Sequence, residues 1–140
     1  MDCLFCRIGR RELPSVVLAE HEDILMFLDI CPIRLGHAQI IPKQHYESFE
    51  LLPPELAAKM IGLGQRLAQR MKALYRVERV AFVFTGGDVP HAHAHVLPMH
   101  EKSDITSARF ALGPMPPLGS QHLRAGRDEL ERVRDEIDFR

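Results

Sequence analysis

The segment His91-Ala92-His93-Ala94-His95-Val96 constrains this chain more than any other, because its alternation suits an extended backbone. In a β-strand successive side chains point to opposite faces, so residues two apart share a face, about 7 Å apart at a rise of ~3.3 Å per residue. A strand over His91 to Leu97 therefore turns three imidazoles to one side. Ala92, Ala94 and Val96 turn to the other, where a core or a helix covers them. Burying three polar rings without partners costs several kcal/mol, so the histidine face reads as the wall of a site. Imidazole titrates near pH ~6.5, and such a row can hold a neutral nucleophile beside a protonated donor. Attack on a phosphate needs that pair: a nitrogen to bond to phosphorus, and an acid for the departing group. The same row supports a second reading, a three-histidine site for catalytic zinc.

The remaining patterns supply a sheet for this strand. Val16 to Glu20 and Ile24 to Leu28 are short apolar runs joined by the polar His21-Glu22-Asp23, which predicts a hairpin. Gly36 to Ile41 reads as a third strand, closed by Pro42. Val80 to Phe84 reads as a fourth, connected to the histidine strand through Thr85-Gly86-Gly87-Asp88-Val89-Pro90. Between them Leu56, Met60, Leu63, Leu67, Met71 and Leu74 recur at three- and four-residue steps. That spacing predicts an amphipathic helix over Glu55 to Leu74, entered at Pro53-Pro54. Gly62 and Gly64 either weaken this helix or mark close packing. Leu130, Val133 and Ile137, set among charges, predict a terminal helix over Asp128 to Phe139. Strands, one long helix, then strands is an α+β order with a mainly antiparallel sheet.

With 140 residues the chain fits one domain with its own core. A net charge of -1 gives no basic field for a nucleic acid or a membrane surface. The apolar runs are too short to span a bilayer, and the N-terminal residues lack the pattern of a signal peptide. Three cysteines cannot all pair within one chain, so no disulfide framework is expected. The reducing cytoplasm is the expected compartment.

Gly36-His37-Ala38, Ile41-Pro42-Lys43-Gln44-His45 and His91-Ala92-His93-Ala94-His95-Val96-Leu97-Pro98, in that order, resemble the histidine triad (HIT) family of nucleotide hydrolases and transferases. The similarity runs from about Cys3 to Pro98. It implies a HIT-like five-stranded antiparallel sheet with one long helix and short N- and C-terminal helices. The domain would span residues 1–110, with a C-terminal extension over 111–140. The resemblance implies that His93 is the nucleophile, forming a nucleotidyl-histidine intermediate that water hydrolyses. His95 would meet the phosphate and His37 would complete the catalytic set, with no catalytic metal. Asp29, within Phe27-Leu28-Asp29-Ile30, matches the acidic position that holds ribose hydroxyls, with Phe27 and Ile30 beside it as nucleotide contacts. Taken alone, Asp29 reads as a turn residue after a strand. Backbone N–H groups of Gly86 and Gly87 can face an anion.

Cys3-Leu4-Phe5-Cys6 has the spacing of half a zinc site, and free thiols or a redox pair are the alternatives. The resemblance completes the set with His45 and His91, giving a Cys2His2 structural zinc site and withdrawing His91 from catalysis. Cys31 reads as a small core residue. Many family members carry a longer glycine-rich loop with an amide side chain that reaches the phosphate. Here the loop is short and lacks one, and Asp88 would repel an anion if it turned inward. The expected substrates are dinucleoside polyphosphates or nucleoside phosphoramidates, the leaving group being open. A three-histidine metallohydrolase and a nucleotide-binding module with little catalysis are the competing functions. The resemblance also implies a homodimer, formed through the long helix and a sheet edge.

Overall fold

A computed structural model describes residues 2–87, 89–105 and 125–139. Asp88, the stretch from Gly113 to Gly119 and the domain boundary expected at residue 110 fall outside them. The chain opens with helix α1 (Leu4–Gly9), followed by the hairpin of β1 (Val17–Glu20) and β2 (Ile24–Leu28). Then come β3 (Ala38–Pro42), a 3-10 turn at Phe49–Leu51, the long helix α2 (Pro54–Tyr75), β4 (Arg79–Phe84), β5 (Ala94–Met99) and helix α3 (Arg127–Ile137). The five strands form one sheet in the order β1-β2-β3-β5-β4, with every neighbouring pair antiparallel.

Alternation along the strands gives the sheet two apolar faces. On one, Met26, Leu28, Ala38, Ile40, Ala94 and Val96 pack against Met60, Leu63, Leu67 and Met71 of α2 and against Leu130, Val133 and Ile137 of α3. Met60, Leu67 and Met71 are fully buried, each contributing roughly 1.5–3 kcal/mol by leaving water. The other face sets Leu25, Phe27 and Ile41 against Cys3, Phe5, Cys6 and Ile8 of the N-terminal segment. The two glycines of α2 differ. A Cβ on Gly64 would collide with the Phe82 ring, so this position is a close helix–sheet approach, whereas Gly62 faces open space.

The predicted hairpin, long helix and terminal helix are present, the last ending at Ile137 rather than Phe139. One boundary differs in a way that matters. The strand expected from His91 begins only at Ala94, which pairs with Ile40 and Phe84. The segment before it is held by other bonds: the His91 amide donates to the Val89 carbonyl and the Ala92 amide to the Tyr46 carbonyl, each at 2.7 Å. Ala92 still joins the α2-side core, so the histidines keep to the opposite side. Cys31, expected in the core, is only half-buried in the loop between β2 and β3. That loop turns at Gly36, whose φ of +96° and approach to the Tyr75 ring both exclude a side chain.

Candidate active site and metal cluster

Two polar clusters occupy the α1 side of the sheet. The first gathers the cysteines. Cys3 precedes α1 and Cys6 lies in its first turn, His45 follows β3, and His91 precedes β5. The Sγ of Cys3 is 3.4 Å from His91 Nδ1, and the Sγ of Cys6 is 3.4 Å from His45 Nδ1 and 3.5 Å from His91 Nδ1. The two Nδ1 atoms are 3.3 Å apart. A tetrahedral zinc with Zn–S of about 2.3 Å and Zn–N of about 2.0–2.1 Å spaces its ligand atoms roughly 3.3–3.8 Å apart. The four donors therefore fit that ion in kind and in spacing. His91 Nε2–H donates to the Pro42 carbonyl at 2.8 Å, which fixes the tautomer and leaves Nδ1 with its lone pair toward the thiols. Burial, together with the neighbouring Cys3, raises the Cys6 thiol above its ordinary pKa, so a metal entering here displaces a proton.

The second cluster holds His37, His95, Asp29, Gln39 and, beside them, His93. All five are buried. His93 Nδ1–H donates to the His91 carbonyl at 2.7 Å, so the lone pair of this ring sits on Nε2. His93 also lines a cavity of about 300 Å³ with Ser48, Phe49, Phe84, Gly86 and Ala92. The Ile33 amide donates to His37 Nδ1 at 3.1 Å, which places the His37 proton on Nε2. That Nε2–H donates to His95 Nδ1 at 2.9 Å, which in turn places the His95 proton on Nε2. His95 Nε2 is buried without a partner among the described residues. The chain of bonds thus ends in the His95 Nε2–H donor, with the His93 and His95 ring centres 5.0 Å apart.

Burial, and to a lesser degree the charge of His93, pushes His95 down to about 3. Burial, then the charge of His95, holds His37 well below the usual imidazole range. Both rings are therefore neutral near pH 7. Neither His37 nor His95 is the protonated donor that histidine spacing suggests, because desolvation outweighs the intrinsic basicity of both rings.

Asp29 follows β2. Its Oδ1 accepts from the Cys31 amide and its Oδ2 from Gln39 Nε2, both at 2.8 Å. The Oδ2 is also 3.8 Å from His37 Nε2. Phe27 lies edge-on to Phe5, and Ile30 is half exposed at the rim. Gly86 borders the cavity at His93, whereas Gly87 is exposed in the same loop and is not among its lining residues.

His91, His93 and His95 do not converge on one point. Among the described residues the metal-capable groups are Cys3/Cys6/His45/His91 and Asp29/His37/His95, and His93 belongs to neither. In the second group His37 accepts at Nδ1 and donates at Nε2, so neither nitrogen offers a ligand lone pair in its neutral form. The three-histidine metal reading is thus not the assembly found. Two features escaped sequence reading. Gln39 has no local signature beyond its β3 alternation, and the bidentate pair of Arg34 with Asp104 (3.0 and 2.9 Å) joins residues 70 apart.

A zinc-compatible Cys2His2 cluster beside a histidine pocket, on a five-stranded antiparallel sheet backed by one long helix, defines a class of protein, and comparison supplies its name. The family model of the HIT domain matches residues 10–102. This chain belongs to the HIT family. The adenosine 5′-monophosphoramidase hnt1 of Schizosaccharomyces pombe is 30% identical over 138 residues, spanning 93% of this chain and 96% of the relative. A HIT-like protein of Bartonella henselae shares the fold with a TM-score of 0.77 at 23% identity, covering 98% of this chain and 95% of the other. A zinc-bound histidine triad family protein of Mycobacterium smegmatis gives a TM-score of 0.75 at 26% identity, covering 99% of this chain and 91% of the other.

Proposed function

We propose that this HIT-family enzyme cleaves the bond between a nucleoside 5′-phosphoryl group and its leaving group, through a covalent intermediate on His93. The observation that carries the reading is the order of hydrogen bonds along the histidines. His93 carries its lone pair on Nε2, the nucleophilic nitrogen, because Nδ1–H is bonded to the His91 carbonyl. His95 presents Nε2–H because its Nδ1 accepts from His37. In the first step His93 Nε2 bonds to phosphorus, the bond to the amine or phosphate leaving group breaks, and that group takes a proton from solvent. In the second, water attacks phosphorus and releases a proton to solvent, the P–N bond to His93 breaks, and the nucleoside monophosphate leaves. His95 Nε2–H donates to a phosphoryl oxygen as charge develops, and His37 holds the His95 tautomer. The relationship to an adenosine 5′-monophosphoramidase favours a phosphoramidate as substrate.

Cys3, Cys6, His45 and His91 would hold structural zinc, consistent with their spacing and with the zinc-bound relative. The ion would tie the N-terminal segment to the strands carrying the site. The edge strand β4, the exposed Phe49 stacked on its Phe84, and the exposed Ile61 of α2 offer a surface for a second copy of the chain. Among the described residues no helix is long and apolar enough to cross a membrane, and cysteines that form no disulfide suit a reducing cytoplasm.

The test is turnover of adenosine 5′-phosphoramidate and of a diadenosine polyphosphate by the purified protein and by His93→Ala. Quenched reactions of the wild type should carry an adenylyl group on His93 by mass spectrometry. Undiminished turnover by His93→Ala would end this reading.

A further inference from the structure

Phe5 stands between the two cysteines in sequence, and in space its ring touches both a member of the cysteine cluster and the histidine beside the second cluster. It sits in the first turn of α1, a helix of 6 residues preceded by Cys3 without a side-chain capping bond. A helix that short does not hold its place by its own hydrogen bonds, so its outside contacts fix it. Two of them flank Phe5: the sulfurs of Cys3 and Cys6 lie 3.4 and 3.5 Å from His91 Nδ1. The rest are apolar, with Phe5 and Ile8 buried against Leu25, Phe27 and Ile41 of the sheet.

The Phe5 ring meets three others. Its centre is 4.9 Å from that of His93 at an interplanar angle of 76°, 5.9 Å from His91 at 85°, and 5.8 Å from Phe27 at 67°. The His95 ring also stands nearly perpendicular to His93, at 5.0 Å and 75°. These contacts bear on His93 because the torsion that tilts an imidazole is broad, without sharp rotamer wells. The Nδ1–H bond to the His91 carbonyl sets the tautomer and anchors one edge of the ring. One hydrogen bond does not resist rotation about its own axis, so packing against Phe5 and His95 must limit the tilt. Attack requires the nucleophile to be aimed at phosphorus from about 3–3.5 Å, and a misplacement of ~1 Å costs on the order of 10²-fold in rate.

We propose that Phe5 is a positioning residue for His93, its ring holding the imidazole at the tilt that aims Nε2 at phosphorus. This role rests on His93 being the nucleophile, as proposed above. It makes the N-terminal segment a support of the reacting nitrogen, acting through His93 and without touching substrate.

Phe5→Leu and Phe5→Met keep an apolar side chain in place and remove the ring. Both are compared with the wild type in kcat and KM for adenosine 5′-phosphoramidate, in zinc content, and in the nitrogen NMR spectrum of the His93 ring without substrate. The wild type should show the single Nδ1–H tautomer. Each variant should lower kcat on the order of 10- to 100-fold, change KM by less than about 2-fold, and keep its zinc. The His93 nitrogens should shift toward a mixture of tautomers, because the loosened ring makes its Nδ1 bond only part of the time. Unchanged kcat would overturn the role of Phe5, and so would a kcat loss with the tautomer unmoved. A raised KM at unchanged kcat would make Phe5 a substrate contact instead, and a kcat loss that tracks zinc loss would make it a support of the cysteine cluster; either overturns the proposal. Two variants, each checked by thermal melting, keep the test available if one fails to fold. A wild type that cleaves neither a phosphoramidate nor a dinucleoside polyphosphate overturns the nucleophile reading, while the ring spectrum still decides whether Phe5 holds His93.

Discussion

His91 and His93 are two residues apart, both buried and both in contact with Phe5, yet the fold gives their rings opposite uses. His91 spends Nε2–H on the Pro42 carbonyl and offers Nδ1 to two thiols and a second imidazole. His93 spends Nδ1–H on the His91 carbonyl and offers Nε2. The difference extends to the clusters around them. In the cysteine cluster four donor atoms converge at 3.3–3.5 Å, which suits one small cation. In the His37–His95 cluster the bonds run in series and end in open groups, which suits a larger ligand with its own donors and acceptors. Convergence would suit a place filled for stability, and open ends a place filled in turnover.

The strongest test of this separation is to remove one ring from each side. His93→Ala should lower kcat by about 10⁴-fold or more, in the range seen when a nucleophile is deleted, while zinc content by atomic absorption stays unchanged. Cys3→Ala and Cys6→Ala should do the reverse in order of severity: zinc is lost first and stability second, with activity falling only as the N-terminal segment loosens. The loss of a metal that closes the site should cost several kcal/mol, read as a fall of about 10 °C or more in Tm. Zinc retention in Cys3→Ala, or zinc loss in His93→Ala, would break the assignment of the two rings.

A smaller effect follows from pH. His37 and His95 are neutral in the folded protein and bind protons freely once unfolded, because burial lowers both and leaves His95 at about 3. The unfolded state therefore binds more protons below its pKa of about 6.5, and stability declines as pH falls from there toward the folded value. Each ring contributes up to ~1.4 kcal/mol per pH unit in that window. Denaturant unfolding at pH 7.5, 6.5 and 5.5 should show this slope, and His95→Gln should remove about half of it. An unchanged slope in that variant would mean that His95 is not the buried titrating group. The conclusion would then shift to the cysteine cluster, where acid competes with metal.

How much of this was legible beforehand differs between the clusters. The strand alternation at Ala92, Ala94 and Val96, and the three- and four-residue steps from Leu56 to Leu74, encode burial directly, so the sheet and long helix could be read from them. Cys3 and Cys6 declared themselves by spacing, and the family pattern supplied His45 and His91. Ring tautomers could not be read, since they depend on which carbonyl or amide meets each nitrogen: Pro42, His91 and Ile33 are set by the fold rather than by neighbouring letters. The start of β5 was misplaced for a related reason. His91 to His93 alternate as a strand does, but their amides bond to Val89 and Tyr46 instead of to a neighbouring strand. Gln39 was passed over because a polar residue in a strand ordinarily faces water, and only the third dimension puts it against Asp29.

The smallest expected effect concerns what holds the loop between β2 and β3, which carries Asp29 and Ile30 but no metal ligand. Its anchor is Arg34, bonded through two nitrogens to Asp104 in the turn after β5. Burial favours the neutral form of Asp104, but Arg34 and the backbone amides of Glu101 and His100 outweigh it and lower its pKa. Its contribution is therefore present above the ordinary carboxylate value and is lost as pH falls through the lower folded one. Asp104→Asn keeps the size and an acceptor while removing the charge. It should cost about 1–3 kcal/mol in denaturant unfolding at pH 7 and speed amide exchange at Ile33 and His37. Zinc content should not change, and AMP affinity should fall only a few-fold, because the loop is loosened rather than its contacts deleted. If exchange at those amides stays as slow as in the wild type, the ion pair is not what fixes the loop. The buried bonds of Asp29 to Cys31 and Gln39 would then be sufficient to hold it.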